Sequence, residues 1–124
     1  MITYTRLYAN DDGESHFEDV EIDLNLTQYA PPAPPLSLSS PTPATQFGFM
    51  NAPADWSSDW HPAAVRNLFF VMTGEWEVMA SDGESRRFRS GSALLVEDTT
   101  GKGHLSRVIG EMDSLTAMVQ LAEQ

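Results

Sequence analysis

From Val65 to Leu121 the chain never runs more than about eight residues without meeting a turn signal. Val65–Met72 gives way to Thr73-Gly74, Glu75–Ala80 to Asp82-Gly83, and Ser85–Arg89 to Ser90-Gly91. Ser92–Val96 then leads into the loop Glu97–Gly103, followed by His104–Ile109 and Ser114–Leu121. Runs of this length suit strands, whereas a helix needs about ten or more residues. Asp82-Gly83 is a two-residue hairpin signal. No helix of ordinary length is predicted anywhere. Evenly spaced short strands with glycine turns predict an all-β sandwich or barrel rather than a βαβ unit. In Val65–Met72 one face is Val65, Asn67, Phe69 and Val71, and the other is Arg66, Leu68, Phe70 and Met72. Both faces are largely apolar, so both should be covered. The second cover is either a second sheet or a second subunit, and a homodimer is expected on this ground.

The N-terminal third reads differently. Asn10-Asp11-Asp12-Gly13 is a turn signal. After it, Val20, Ile22, Leu24 and Leu26 alternate with Glu21, Asp23 and Asn25, which predicts one half-buried strand. Residues 31–43 hold six of the eight prolines, and such a stretch neither donates to a ladder nor continues a helix. It reads as an extended arm. Residues 1–45 are therefore expected to form an N-terminal arm with one or two strands and a proline-rich segment. That arm belongs to the same domain as a barrel over residues 46–124, since 124 residues make one domain.

Composition narrows the partners. Seven Lys+Arg against 18 Asp+Glu give a formal net charge of −11. That field repels phosphate backbones and anionic lipid, so neither nucleic acid nor a membrane surface is expected as a partner. With no cysteine there is no disulfide, thiolate nucleophile or cysteine-held metal. No apolar run reaches bilayer length and Met1–Arg6 shows no signal-peptide core, so a soluble cytoplasmic protein is expected. Serine-hydrolase elbows, phosphate loops, zinc-helix and dinucleotide fingerprints do not occur.

Two strings of residues carry a family resemblance. His61, Ala63, Asn67 and Gly74 stand at the spacing of a first cupin motif, where two histidines, a glutamate and a glycine are usual. Gly91–Val96, the loop Glu97–Gly103 and His104 follow the second motif, with a longer loop. Trp60–Gly110 thus resembles the cupin superfamily, in particular its small bacterial members of mostly unassigned function. The resemblance implies an antiparallel jelly-roll β-barrel (a double-stranded β-helix) with a small-molecule pocket inside. It keeps His61 and His104 but has Ala63 and Asn67 at the two other ligand positions. A divalent metal (Fe, Mn, Ni or Zn) usually takes three or four protein ligands. No metal site is therefore assigned; if one exists, His61 and His104 hold it.

The candidate site follows from that frame. His61, Asn67, Phe69 and His104 are expected to line the pocket, with Trp60 and Lys102 beside them. His61, His104 and Glu97 are the candidates for acid–base work. The loop Glu97–Gly103 supplies two carboxylates, Glu97 and Asp98, and the chain's one lysine, Lys102, which suits an anionic group. The plainer alternative is good turn chemistry with solvated or ion-paired carboxylates. Asn67 either orients a ligand or is a core amide satisfied by backbone. Phe47, Phe49, Trp56, Trp60, Phe69 and Trp76 read as core material, while Trp56 and Trp60, in an Asp/Ser-rich stretch, also suit a pocket mouth or a subunit contact. Arg86, Arg87 and Arg89 are expected to pair with Glu75, Glu77 or Glu84. Three functions stay open: a small-molecule-binding cupin without chemistry; a metal-independent isomerase, cyclase or lyase; and a metal-dependent oxygenase or isomerase with an atypical ligand set.

Overall fold

Eleven strands and no helix make up residues 2–123, which the computed structural model of this chain describes. In chain order they are β1 (Thr3–Ala9), β2 (Ser15–Glu21), β3 (Asn25–Thr27), β4 (Leu36–Leu38) and β5 (Ala44–Ala52). Then come β6 (Asn67–Val71), β7 (Glu75–Ala80), β8 (Ser85–Arg89), β9 (Ala93–Val96), β10 (His104–Ile109) and β11 (Ser114–Leu121). They form a six-stranded sheet in the order β2-β1-β9-β6-β11-β5, a three-stranded sheet β10-β7-β8, and a separate pair β3-β4.

The two larger sheets face each other across one core. Leu7, Phe17, Val71, Leu94 and Val96 come from the large sheet, and Trp76, Val78, Phe88 and Val108 from the small one. Burying each such side chain contributes about 1.5–3 kcal/mol. The Trp76 indole N–H donates to Ser114 Oγ across the sheets at 2.7 Å, which satisfies the one polar atom the ring carries inward.

Two expectations change. The strands do not close into a single hydrogen-bonded ring: the large sheet ends at β2 on one side and β5 on the other. Nor is that sheet wholly antiparallel, because β1 runs parallel to β9, with Thr5, Arg6 and Leu7 opposite Leu94, Leu95 and Val96. A parallel pair needs a long connection between its strands, and the chain between β1 and β9 supplies one.

The predicted strand Val20–Leu26 is also redrawn. Its inward residues are Ser15 and Phe17, so Val20 lies on the opposite face. The ladder with β1 ends at Thr3↔Glu21, leaving only Ile22 N–H bonded to Ile2 C=O. Past that point the chain leaves the large sheet, and Leu24 and Leu26 are both exposed. Within residues 1–45, β1 and β2 are members of the main sheet and bury Leu7 and Phe17; only the later part stands apart as an arm. Phe47 and Phe49, read as core, lie on the outside of β5 with 77% and 62% of their surface exposed.

The hairpin arginines pair as expected. Arg86 meets Glu84 at 2.6 Å and Asp19 at 2.7 Å, and Arg87 and Arg89 each reach Glu75 at 3.4 Å. Exposed pairs of this kind add about 0–1 kcal/mol each.

Candidate functional site

The loop between β9 and β10 brings His104 to the core, and nearly every residue in it is tied down. Glu97 N–H donates to Leu7 C=O at 2.7 Å, and Asp98 C=O accepts from Ala63 N–H at 3.0 Å. Lys102 N–H donates to Gly13 C=O, and Ser15 Oγ donates to Gly103 C=O at 2.8 Å. Gly101 and Gly103 both have positive φ. A Cβ at Gly101 would fall on the backbone of Gly13, and one at Gly103 on the backbone of His61 and Pro62. The Gly-Lys-Gly string thus exists because two other chain segments pass where side chains would be.

That close approach places His61 beside His104. Their backbones form a two-way bridge, His61 N–H to His104 C=O at 3.0 Å and the reverse at 2.9 Å. The ring centroids lie 4.7 Å apart. His61 Nδ1 is 2.8 Å from Asp59 C=O, which only accepts, so Nδ1 carries the proton. His104 Nδ1 is 2.6 Å from Asp98 Oδ2. The carboxylate accepts there too, so each ring keeps Nε2 as its free acceptor. Asp98 is fully buried, and its Oδ1 has no hydrogen-bond partner among the described residues. A half-satisfied buried carboxylate is costly, and its one bond fixes an imidazole.

Both rings border a cavity of about 280 Å³ between the two sheets. Its interior wall is apolar, built from Phe69, Val71, Val78, Phe88, Leu94 and Val96. Ser106 and Thr116 add the hydroxyls. Trp56 and His61 are exposed members of the wall and mark its mouth, where Trp56 packs edge-on to Trp76 at 5.5 Å.

Of the residues predicted for the site, His61, His104 and Phe69 share this cavity. Asn67, at the start of β6 opposite Val96 and Gln120, is not part of its wall. Trp60 and Lys102 border a separate surface depression with Ser81, and Lys102 Nζ pairs with Glu14 at 2.9 Å. Glu97 is clamped outside the cavity by Arg6 at 2.5 Å and Arg66 at 2.6 Å. Sequence reasoning favoured Glu97 over Asp98; the structure puts the neighbour behind His104. Thr116 also went unnoticed, although Ser114 and Thr116 are polar residues at alternate positions of β11.

Burial by itself would raise the Glu97 carboxyl pKa. The hydrogen bonds from Arg6 and Arg66 outweigh it and hold the group below its ordinary value near 4.5. A depressed folded-state pKa gives stability that is present above about pH 4.5 and lost as pH falls through the folded value. Glu97→Gln is therefore expected to cost about 2 kcal/mol at neutral pH. It should also flatten the loss of stability below pH 4.5, which thermal melts across an acid series measure.

A resident transition metal does not fit these residues. Two imidazoles converge, but the nearest carboxylate sits behind His104 and is used by its Nδ1. Among the described residues no group of three His, Cys, Asp or Glu is placed to hold an ion.

Two facing sheets of this order, with the pocket between them and two motif histidines on its wall, define a cupin-type fold. The cupin domain of Schizosaccharomyces pombe Cnp3 superposes over 98% of this chain and 83% of its own, with 20% identity and a TM-score of 0.54. A Cupin 2 conserved barrel domain protein from Salinispora arenicola matches over 68% of this chain and 71% of its own (22% identity, TM-score 0.47). Protein NMB1881 from Neisseria meningitidis matches over 61% and 72% (22% identity, TM-score 0.45). No family model matches the sequence, and no curated protein does. Identities this low speak to fold alone. No helix among the described residues is long and apolar enough to cross a membrane.

Proposed function

We propose that the chain binds a small, mainly apolar molecule carrying one hydroxyl or enol, in the cavity between its sheets. The observation that carries this reading is the pair of oriented imidazoles on an otherwise apolar wall. The cavity lies just below the roughly 300–1,000 Å³ range of ligand clefts, which suits a monocyclic compound. Apolar surface supplies affinity, and the two Nε2 acceptors select for a donor group. Ligand observation by ¹⁵N–¹H correlation spectra tests it with a panel of monocyclic phenols and their methyl ethers. Saturable shifts are expected around His61, Phe69, His104 and Thr116, with the phenols favoured. His104→Ala should weaken phenol binding about tenfold and leave the ethers little changed. Shifts elsewhere, or equal affinity for phenol and ether, would refute the reading.

A second reading is favoured by the Asp98–His104 pair. A buried carboxylate behind an imidazole is the arrangement that makes a general base, because it stabilises the imidazolium formed when the ring takes a proton. The chain then acts as a metal-independent isomerase or lyase on an enolisable carbonyl compound. Deuterium exchange at the acidic carbon of a cyclic 1,3-diketone, followed by NMR, is expected to be catalysed and to fall at least about 100-fold in His104→Ala. Exchange equal in both proteins would leave binding as the only function.

A further inference from the structure

One buried hydroxyl on the cavity wall is left nearly without a partner. Thr116 lies on β11 with 1% of its surface exposed and forms part of the wall. Among the described residues its hydroxyl has one contact, Ser114 Oγ at 3.4 Å. An O–H···O bond is ordinarily about 2.7–2.8 Å long, so this one is weak. Ser114 cannot strengthen it. Its single proton goes to Thr73 C=O at 2.8 Å, and it accepts the Trp76 indole N–H at 2.7 Å. The contact therefore runs only from Thr116 to Ser114, and among the described residues no donor meets the lone pairs of Thr116 Oγ1.

That hydroxyl stands on the cavity side of its sheet. Ser114 and Thr116 alternate along one strand and share a face, and Ser114 is bonded to Trp76 of the opposite sheet. The ladder neighbours of Thr116 are Met50 on β5 and Val71 on β6, whose side chains carry no donor.

The strands also set its place relative to the histidines. Trp76 pairs with Val108 in the small sheet and reaches Ser114 in the large one, so Ser114 and Val108 are level. The chain passes from β10 into β11 through residues 110–113, so the two strands run in opposite directions. One inward step from that level brings Ser106 on β10 opposite Thr116 on β11, and His104 lies a further step away, about 7 Å. Ser106 is on the histidine wall and meets Ser58 Oγ at 3.3 Å. The imidazole acceptors and the Thr116 hydroxyl are thus separate polar points on opposite walls of a cavity that is otherwise apolar.

We propose that Thr116 is a second recognition point of the cavity, accepting a hydrogen bond from the far end of the ligand, so that the preferred occupant is a single ring with hydroxyl groups at opposite ends. This rests on the cavity reading above and extends it: the histidines take the first hydroxyl and Thr116 the second. A ligand hydroxyl at this point donates to the unmet lone pairs, whereas a methyl group there leaves them unmet. A site built to bond a hydroxyl discriminates against the analogue that lacks it.

The probes are hydroquinone, kept under argon, and 4-methylphenol, which match in shape and differ by hydroxyl against methyl at one end. Phenol is the reference. Titrations followed by ¹⁵N–¹H correlation spectra give the dissociation constants. Hydroquinone is expected to bind the wild type more tightly than 4-methylphenol. In Thr116→Val that preference should fall about tenfold, while the phenol constant stays within about twofold. Valine keeps the shape of threonine, and the bonds from Ser114 to Thr73 and from Trp76 to Ser114 do not involve residue 116, so the fold should hold. Thr116→Ser, which keeps the hydroxyl, should keep the wild-type preference. Tighter binding of 4-methylphenol to the wild type overturns the second recognition point and leaves the cavity reading standing. So does a preference that changes less than about threefold in Thr116→Val, or that falls equally in Thr116→Ser. Phenol titrations without shifts around His61 and His104 of the wild type overturn both.

Discussion

Asp98→Ala is expected to lower folding stability by about 2–4 kcal/mol, the sum of an unmet buried N–H and the space the side chain leaves. The side chain is fully buried and accepts its one hydrogen bond from the Nδ1–H of His104. Truncation leaves that N–H without an acceptor in a ring whose side chain is only 10% exposed, and it opens a void beside it. For a chain of this length the melting temperature should fall by about 10 °C or more. Asp98→Asn separates fold from function. Its amide oxygen still accepts from His104, and the carboxylate oxygen that lacks a partner is replaced by a neutral group. Stability within about 1 kcal/mol of wild type is therefore expected, together with weaker phenol binding, because the negative charge behind the imidazole is gone. Urea unfolding of both variants measures this. An Asp98→Ala protein as stable as the parent would mean that the carboxylate does not hold the ring.

Gly103→Ala is the second large effect. Two costs add at this position. A left-handed φ of +77° costs an L-residue about 1–2 kcal/mol. The new methyl also falls on the backbone of His61 and Pro62, and crowding of a packed interior adds about 1–3 kcal/mol. Gly91→Ala is the control, since its φ is +93° but nothing lies within 4 Å of the new carbon. Gly91→Ala should cost only the backbone term. Gly103→Ala should cost roughly twice as much, and His61 should shift away from His104, visible as altered chemical shifts of both rings. Equal costs for the two substitutions would show that His61 is not held by contact with this loop.

Strand by strand, the C-terminal half was legible because short apolar runs and glycine turns are local signals. β7, β8, β10 and β11 occupy the runs read from the residues, Glu75–Ala80, Ser85–Arg89, His104–Ile109 and Ser114–Leu121. The N-terminal half was not. Val20–Leu26 has good alternation, yet β2 buries the opposite set of residues, because a strand ends where its partner ends and the alternation does not say which face is covered. The site was legible in part. His61 and His104 could be singled out through the resemblance to the cupin motifs, whereas the choice between the adjacent carboxylates Glu97 and Asp98 depends on which way each side chain leaves the backbone. At the end of β9 the two point to opposite sides, one to Arg6 and Arg66, the other to His104.

The residues alone determined that this chain is all-β, acidic and without cysteine chemistry, since those follow from composition and from patterns spanning a few neighbours. Tertiary structure alone decided that β1 enters the sheet parallel to β9 and that the sheets stay open. It also decided that two histidines 43 positions apart stand ring to ring over one cavity. Such pairings join segments distant along the chain, and their free energy comes from burying surfaces that no local window contains.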